Sequence, residues 1–298
     1  MDGVHLGQIT GCGTLEAWDV IILGDGPAAL RSAAEAAKQG ANTLVLSVNA
    51  LGSNPHFAQD SLAAPLQESN NRNHREDTIR AGSFLNDQDI VASRSSDASR
   101  QVDLLERWGV NFRRDAHGIP LVRKAPGHGM ARNADAGDAT GREIQQILEE
   151  QCMRHGVIRR GDHLPLSLIH TNQSVSGITV VDLVNGRITA LQAKAVILAD
   201  GGFEGAFNHG AVGLGLDLAF RAGVPLRDME FIAHSPLGLK DTNMILPLGL
   251  LHDGATLHEA NGTDLEFDVG GLDTICQSVA NASQPVLDAR NMGDSSTW

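Results

Sequence analysis

The chain has 298 residues, of which 42% are hydrophobic and 20% are charged, and its formal net charge is −13. This length and composition suit one large or two ordinary globular domains and exclude a disordered, fibrous or coiled-coil protein. The acidic balance argues against nucleic acid as a partner, because a polyanion would be repelled. No apolar run approaches the ~20 residues of a membrane-spanning helix, so no direct membrane span is expected.

The first patterned segment predicts a strand, a helix and a second strand. An apolar run over 19–23 leads into Gly24, an alanine-rich stretch continues to Ala41, and a second apolar run covers 43–47. This order is typical of a βαβ unit with parallel strands. The following segment, 53–100, is rich in Ser, Asn, Asp and Arg and predicts a mostly irregular excursion.

Two helices are predicted in the middle of the chain. Apolar residues recur at helical spacing over 102–108, and Gly109 suits a helix stop. Thr140, followed three residues later by Glu143, has the form of a capping box. The second helix is therefore expected over about 141–155.

The remaining elements are shorter. Two strands over 178–183 and 188–191 flank an Asn-Gly pair, which is a type I′ turn signal. The run 195–199 predicts a separate buried strand, the stretch up to Gly223 looks helical, and 224–298 has no clean period. The three cysteines lack metal-ligand spacing, so no metal site is predicted.

The loop after the first strand carries the pattern G-x-G-x-x-A, formed by Gly24, Gly26 and Ala29. In a nucleotide-binding fingerprint the first glycine allows a tight turn, the second admits a pyrophosphate, and the small third residue permits close helix packing. The phosphate would rest on the N–H groups of the helix N-terminus. A glycine turn in a plain α/β domain is the alternative. Asp25 would cost on the order of 1 kcal/mol or more beside an anion unless its carboxylate faces solvent.

Seven segments, in matching order, resemble the flavoprotein subunit of succinate dehydrogenase and fumarate reductase, with relatives such as L-aspartate oxidase. They are His56-Phe57-Ala58-Gln59-Asp60, Asp77-Thr78-Ile79, Leu85-Asn86-Asp87-Gln88-Asp89, Ala136-Gly137-Asp138-Ala139-Thr140-Gly141, Ala199-Asp200-Gly201-Gly202, Arg221-Ala222-Gly223 and Asp228-Met229-Glu230-Phe231. The resemblance runs from about Trp18 to about Asn291.

This resemblance implies an α/β fold with a doubly wound, Rossmann-like FAD-binding domain and an α+β cap domain that closes over the flavin. We accordingly divide the chain into an N-terminal extension over 1–17, an FAD-binding-type domain with the irregular excursion over 18–223, and a partial cap domain over 224–298. The chain stops near the end of the family's cap domain, so the FAD-binding domain is expected to be incomplete at its C-terminus.

The resemblance implies FAD as the cofactor. Ser47 stands where the second strand approaches the ribose, and His56 matches a family histidine that can carry covalent FAD, with a surface histidine as the alternative. Asp200 replaces a family threonine, and 212–215 replaces a Thr-Gly-Asp-Gly near the flavin; both changes count against FAD. The predicted cofactor-binding residues are Gly24, Gly26, Ala29, Ser47, His56, Gly201 and Gly202.

The substrate side departs from the family. Ser235 stands in place of the substrate-binding histidine, Pro247 and Leu248 in place of a threonine and a glutamate, and Leu251 in place of the proton-transferring arginine. A leucine can neither donate a proton nor pair with a carboxylate, so no catalytic residue is predicted. His128, between two glycines, lies near a family segment that lines the substrate side, with a plain loop histidine as the alternative.

Three functions remain open on this basis. The first is a homologue without a dicarboxylate site, a non-catalytic structural or assembly subunit (pseudoenzyme) of a multisubunit, membrane-attached electron-transfer complex. The second is an active FAD-dependent oxidoreductase of the succinate/fumarate type completed by a partner chain, and the third is a nucleotide-binding regulator. The N-terminus carries no export or transit signal, so the expected location is the cytoplasm or the cytoplasmic side of a membrane, with an organelle matrix kept open.

Overall fold

The computed structural model describes residues 16–51, 61–66, 71–137, 140–171, 174–207, 211–232, 234–242, 244–252, 254–265 and 271–292. The chain divides into two compact units, which are 1–53 with 152–227 and 54–151 with 228–298. None of the helices within the described ranges is long and apolar enough to cross a bilayer.

The strands are β1 (Ala17–Leu23), β2 (Thr43–Leu46), β3 (Leu62–Ala63), β4 (Val122–Arg123), β5 (Asn133–Ala134), β6 (Ile158–Arg160), β7 (His163–Thr171), β8 (Ser174–Asp182), β9 (Ile188–Leu198), β10 (Thr256–Glu259) and β11 (Pro285–Asp288). The helices are α1 (Pro27–Lys38), α2 (Asn71–Ala81), α3 (Gln88–Trp108), α4 (Thr140–Arg154), α5 (Leu214–Arg221), α6 (Gly249–His252) and α7 (Leu272–Asn281).

The first unit is built on a six-stranded sheet with the order β6-β2-β1-β9-β8-β7. The strands β6, β2, β1 and β9 run parallel, whereas β8 is antiparallel to both β9 and β7. The helix α1 connects β1 to β2 and contacts both strands. The predicted βαβ unit is therefore confirmed.

Alternation along the strands sorts the core of this unit into two faces. Ile21 and Leu23 of β1 join Leu44 and Leu46 of β2 in one apolar cluster, to which β8 and β9 also contribute. Ile22 of β1 is fully buried but lies outside this cluster. Because successive strand residues point to opposite faces, Ile22 serves the face that α1 covers.

The strand β9 corrects two predictions. The runs 188–191 and 195–199 are one continuous strand, whose first part pairs with β8 and whose later part pairs with β1. No glycine or proline interrupts 188–198, so the hairpin strand can extend straight into the parallel sheet. A buried strand was predicted here, but Ala195 is exposed, so this part of β9 is only partly buried.

The turn between β8 and β9 is not of type I′. Gly186 has a φ of +71°, but Asn185 is not among the residues with positive φ, and type I′ needs both. Instead Asp182 organises a longer loop, because its carboxylate accepts the N–H of Val184 at 2.9 Å and its carbonyl accepts the N–H of Gly186 at 2.8 Å.

Most of the segment 53–100 was expected to be irregular, and this was wrong for 71–81, which forms α2, and for 88–100, which forms the larger part of α3. Both helices are largely polar; α2 buries only Asp77 and Ile79. The start of α3 is fixed by Asp87, whose carboxylate accepts the N–H of Ile90 at 3.2 Å. Gly109 ends α3 with a φ of +122°, as predicted.

The second unit contains two small sheets and its own apolar core. The strands β3, β5 and β4 form one antiparallel sheet, and β10 pairs with β11 in the other. Leu237, Leu257 and Ile275 are the buried centre of the core formed around β10, β11 and α7. The stretch with no clean period therefore does fold into regular elements.

Candidate functional site

The predicted nucleotide-binding residues of the first unit follow three neighbouring parallel strands. Gly24 comes directly after β1, Ser47 directly after β2, and Ala199 directly after β9. Since these strands are adjacent and parallel, their carboxyl ends meet at one edge of the sheet. We call Gly24, Ser47, the turn over 199–202 and the start of α1 the cradle, and its position is the usual one for a ligand in an open α/β sheet.

Gly24 has to be a glycine. Its φ is +109°, and a Cβ added to it would lie 2.3 Å from the carbonyl oxygen of Ala199 and 2.9 Å from the Cα of Asp200. Its N–H donates to the carbonyl of Leu46 at 2.8 Å. The turn is therefore held tightly between β2 and β9, as the first glycine of the fingerprint requires.

The start of α1 offers backbone amides to a ligand. Gly26 is the N-cap, no side chain caps the helix within the described residues, and Pro27 occupies the first turn. The N–H of Leu30 donates to the carbonyl of Gly26 at 3.0 Å, so the helical ladder begins there and the earlier amides point out of the helix end. Ala29 is fully buried, which fits the close packing expected of the third fingerprint position.

Two acidic residues lie at the cradle. Asp25 is buried, so solvent does not screen its carboxylate. Its repulsion of a bound anion is therefore expected to remain. Asp200 is half-buried, and its carboxylate accepts the N–H of Gly215, the second residue of α5, at 2.8 Å. A Cβ on Gly215 would lie 2.1 Å from the other Asp200 oxygen, so this glycine is what lets the carboxylate seat on the helix.

Ser47 presents a neutral hydroxyl at the end of β2. The residue is buried, and its Oγ accepts the N–H of Asn49 at 3.1 Å. The hydroxyl hydrogen can still be donated, which suits a sugar hydroxyl.

The remaining predicted cofactor residues fall into two groups. Gly201, with a φ of +93°, and Gly202 form the turn after β9, where a Cβ on Gly202 would lie 2.7 Å from an oxygen of Glu204. His56 lies outside the described residues. The cradle thus brings together Gly24, Gly26, Ala29, Ser47, Gly201 and Gly202, and its glycine turn, open helix end and neutral hydroxyl fit the pyrophosphate and ribose of FAD.

The second unit contains the positions predicted to have lost a dicarboxylate clamp. Leu248 and Leu251 pack against the apolar core formed by Leu237, Leu257 and Ile275. The Ser235 hydroxyl donates to the carbonyl of Leu237 at 3.3 Å. The two leucines therefore serve as packing residues.

A buried ion pair holds the loop that contains His128. Arg132 and Asp77 are almost fully buried, and Arg132 Nη1 lies 2.7 Å from an Asp77 oxygen, which also accepts the N–H of Gly129 at 2.8 Å. Burial opposes ionisation of Asp77, but these two donors outweigh it and hold the pKa of Asp77 below its ordinary value. Burial, aided by Arg132, lowers the pKa of His74 below its ordinary value.

A second buried carboxylate fixes the strands beside this loop. Asp135 is fully buried, and its two oxygens lie 2.5 Å from Arg113 Nε and 3.0 Å from Arg123 Nε. Its Oδ1 also accepts the N–H of Gly137 at 2.9 Å. These contacts are internal to the second unit, so we assign them a structural role.

An open groove of about 770 Å³ runs along β10 and β11. The charged side chains that line the groove bond to other groups of the protein. Arg290 pairs with Asp288, and the carboxylate of Glu259 accepts hydrogen bonds from the backbone N–H groups of Ser283 and Gln284. No group of three or more His, Cys, Asp or Glu side chains suited to a metal ion occurs in the described part of the chain.

A family model described as an FAD binding domain matches residues 19–282. A fumarate reductase flavoprotein subunit from Haemophilus influenzae is 32% identical over 262 residues, which cover 85% of this chain and 44% of the relative. A succinate dehydrogenase flavoprotein subunit from Rickettsia felis is 31% identical over 262 residues, which cover 82% of this chain and 44% of the relative.

Solved structures show the same fold. A structure of E. coli quinol fumarate reductase superposes with a TM-score of 0.84 at 26% identity and covers 94% of this chain and 55% of that chain. The chain thus spans about half the length of the relatives that it matches. The α/β fold with a parallel-rich, Rossmann-like sheet is confirmed by this match.

Proposed function

The chain belongs to the FAD-binding domain family, and we propose that it is a flavoprotein-subunit homologue that binds FAD without oxidising succinate or reducing fumarate. Over about half of their length it is homologous to fumarate reductase and succinate dehydrogenase flavoprotein subunits. The proposed role is that of a structural or assembly subunit.

The cradle would hold the FAD. The amides at the start of α1, the Gly24 turn and Gly26 would receive the pyrophosphate, and the Ser47 hydroxyl would donate to the ribose. Ala29 keeps α1 close to the sheet. When bound, FAD supplies the capacity for hydride transfer, and the protein supplies its binding and orientation.

The packing of Leu248 and Leu251 carries the proposal that the dicarboxylate clamp is gone. Both side chains contact the apolar core of the second unit. A clamp for a dianion needs cations or hydrogen-bond donors with satisfied partners, and aliphatic core residues provide neither. Removing even one transition-state charge donor typically costs ~10²–10³ in rate.

The alternative is an active FAD oxidoreductase of the succinate/fumarate type that is completed by another chain. The curated relatives favour it, since they are named fumarate reductase and succinate dehydrogenase flavoprotein subunits and are about twice as long. On this alternative the charged groups would come from the partner.

Assembly with other subunits is part of the proposal. The matched relatives are named as subunits. In the first unit Phe207, Val212, Phe220 and Val224 are large apolar side chains that are about half exposed or more. Such groups mark contact surfaces when they cluster. We propose a peripheral position in an electron-transfer complex on the cytoplasmic side of a membrane.

Restoring the family's residues tests the packing role. We expect Leu248→Glu and Leu251→Arg each to lower the free energy of unfolding by about 2 kcal/mol or more, because each places a charge against an apolar core. The matched control Leu239→Glu changes a leucine of the same unit that is 48% exposed and should stay within about 0.5 kcal/mol. Urea denaturation gives the comparison. Unchanged stability together with new dicarboxylate binding would contradict the proposal.

The visible spectrum tests the function directly. The purified chain with FAD is expected to show flavin absorption bands that dithionite bleaches and succinate does not. Fumarate should likewise fail to reoxidise the reduced flavin. Succinate-dependent bleaching, by the chain alone or with an added partner, would establish the alternative instead.

A further inference from the structure

The structure assigns a specific role to Asp200: we propose that its carboxylate occupies the N-terminus of α5 and thereby weakens the binding of FAD at the cradle. This inference rests on the FAD assignment and goes beyond it, because it names a residue that sets the affinity. No motif of the fingerprint includes this side chain.

The backbone of Asp200 lies beside the fingerprint turn. Asp200 follows β9 by two residues, and its backbone is in contact with the fingerprint turn, since a Cβ on Gly24 would lie 2.9 Å from the Cα of Asp200. The Asp200 side chain therefore starts from the same edge of the sheet at which Gly24 and the start of α1 lie. A ligand pyrophosphate at that edge carries charge of the same sign.

The carboxylate of Asp200 accepts a hydrogen bond from the first turn of α5. Its Oδ2 accepts the N–H of Gly215 at 2.8 Å, in the first turn of α5, and a Cβ on Gly215 would lie 2.1 Å from Oδ1. The N-cap of α5 is Gly213, which has no side chain that could cap the helix. The chain's own anion thus satisfies a helix end that could otherwise face an external anion.

The two effects predict opposite outcomes for one substitution. Asp200→Asn keeps an oxygen that can accept the Gly215 N–H but removes the charge. Loss of the charge at the helix N-terminus should lower the Tm of the flavin-free protein by about 1–2 °C. The same loss should strengthen FAD binding by about fivefold to tenfold at low salt, because a nearby like charge is gone.

The experiment titrates the full chain, freed of flavin, with FAD and follows the quenching of flavin fluorescence. Asp217→Asn is the matched control, since Asp217 lies on the same helix, is exposed and pairs with Arg221, and its loss changes the net charge equally. We expect the control to leave the Kd within about twofold. High salt should reduce the increase in FAD affinity that Asp200→Asn shows over the parent chain. Asp200→Thr, which keeps an acceptor and introduces the family's residue, serves as a second variant.

The FAD affinity and the Tm of these variants distinguish the proposed role of Asp200 from a merely structural one. Tighter FAD binding together with a lower Tm in Asp200→Asn supports the role. If Asp200 were merely structural, its substitution would lower both the FAD affinity and the Tm. Equal or weaker affinity in both Asp200 variants overturns it, as does an equal gain in Asp217→Asn, which would reflect net charge alone. Absence of FAD binding by the parent chain and by every variant would instead contradict the FAD assignment itself.

Discussion

Asp77→Ala is expected to lower the free energy of unfolding by about 3–5 kcal/mol. The substitution leaves Arg132, a guanidinium with a side chain only 3% exposed, without its carboxylate partner. It also removes the acceptor of the Gly129 amide. The guanidinium left without this partner is buried, which is why the effect should exceed that of an ordinary surface pair.

The control for this prediction lies on the same helix. Glu76 pairs with Arg72 in an exposed contact, so Glu76→Ala should change the unfolding midpoint in urea very little. Asp77→Asn provides a less disruptive variant should the alanine protein fail to fold. Equal midpoints for Asp77→Asn and Glu76→Ala would show that the buried pair does not stabilise the second unit.

The same pair predicts a pH dependence. The pKa of Asp77 is depressed in the folded protein, so its contribution is fully present above the unfolded value near 4 and is lost as the pH falls through the folded value. The difference in stability between the parent chain and Asp77→Asn should therefore shrink progressively below about pH 4. Denaturation at a series of pH values measures it, and a difference that grows in acid would contradict the assignment.

Gly24→Ala should cost roughly 3 kcal/mol in stability and at least tenfold in FAD affinity. A positive φ disfavours alanine by about 1–2 kcal/mol, and the contact at 2.3 Å from a backbone oxygen adds a strain term of about 1–3 kcal/mol. Relieving that contact must move β9 away from the turn, which displaces the amides proposed to bind the pyrophosphate.

Gly40→Ala separates the cost of a positive φ from the cost of the steric contact. Gly40 also has a positive φ, but a Cβ there would meet nothing within 4 Å, so this variant should show only the conformational cost and normal FAD binding. Urea denaturation and flavin titration of both variants give the comparison. If Gly24→Ala matched Gly40→Ala in both measurements, the close approach of β9 to the turn would have no importance for the cofactor.

The cradle could be predicted from the sequence because its signals are local. The fingerprint of Gly24, Gly26 and Ala29 sits between an apolar run and an alanine-rich stretch, and each residue type has a direct steric reason. The hydrogen bond from Gly215 to Asp200 joins residues 15 apart in sequence, and no pattern marks it. The sequence suggested only that Asp200 was unfavourable for FAD.

The helices α2 and α3 were harder to predict because few of their residues are buried. A stretch such as 71–81 shows no apolar period, since its buried positions are Asp77 and Ile79, and the former is a carboxylate paired with Arg132. Likewise the apolar character of Leu248 and Leu251 was visible in the sequence, whereas their contact with the core around Ile275 required the fold.

The long strand β9 has a consequence for how the protein is made. Val20 of β1 pairs with Ala195 of β9, so this edge of β1 has no strand to pair with until β9 has been synthesised. Closing so long a loop carries a large entropic cost, and an open edge invites pairing with other chains. A chaperone that covers this edge until β9 has been synthesised should therefore raise the yield of folded protein.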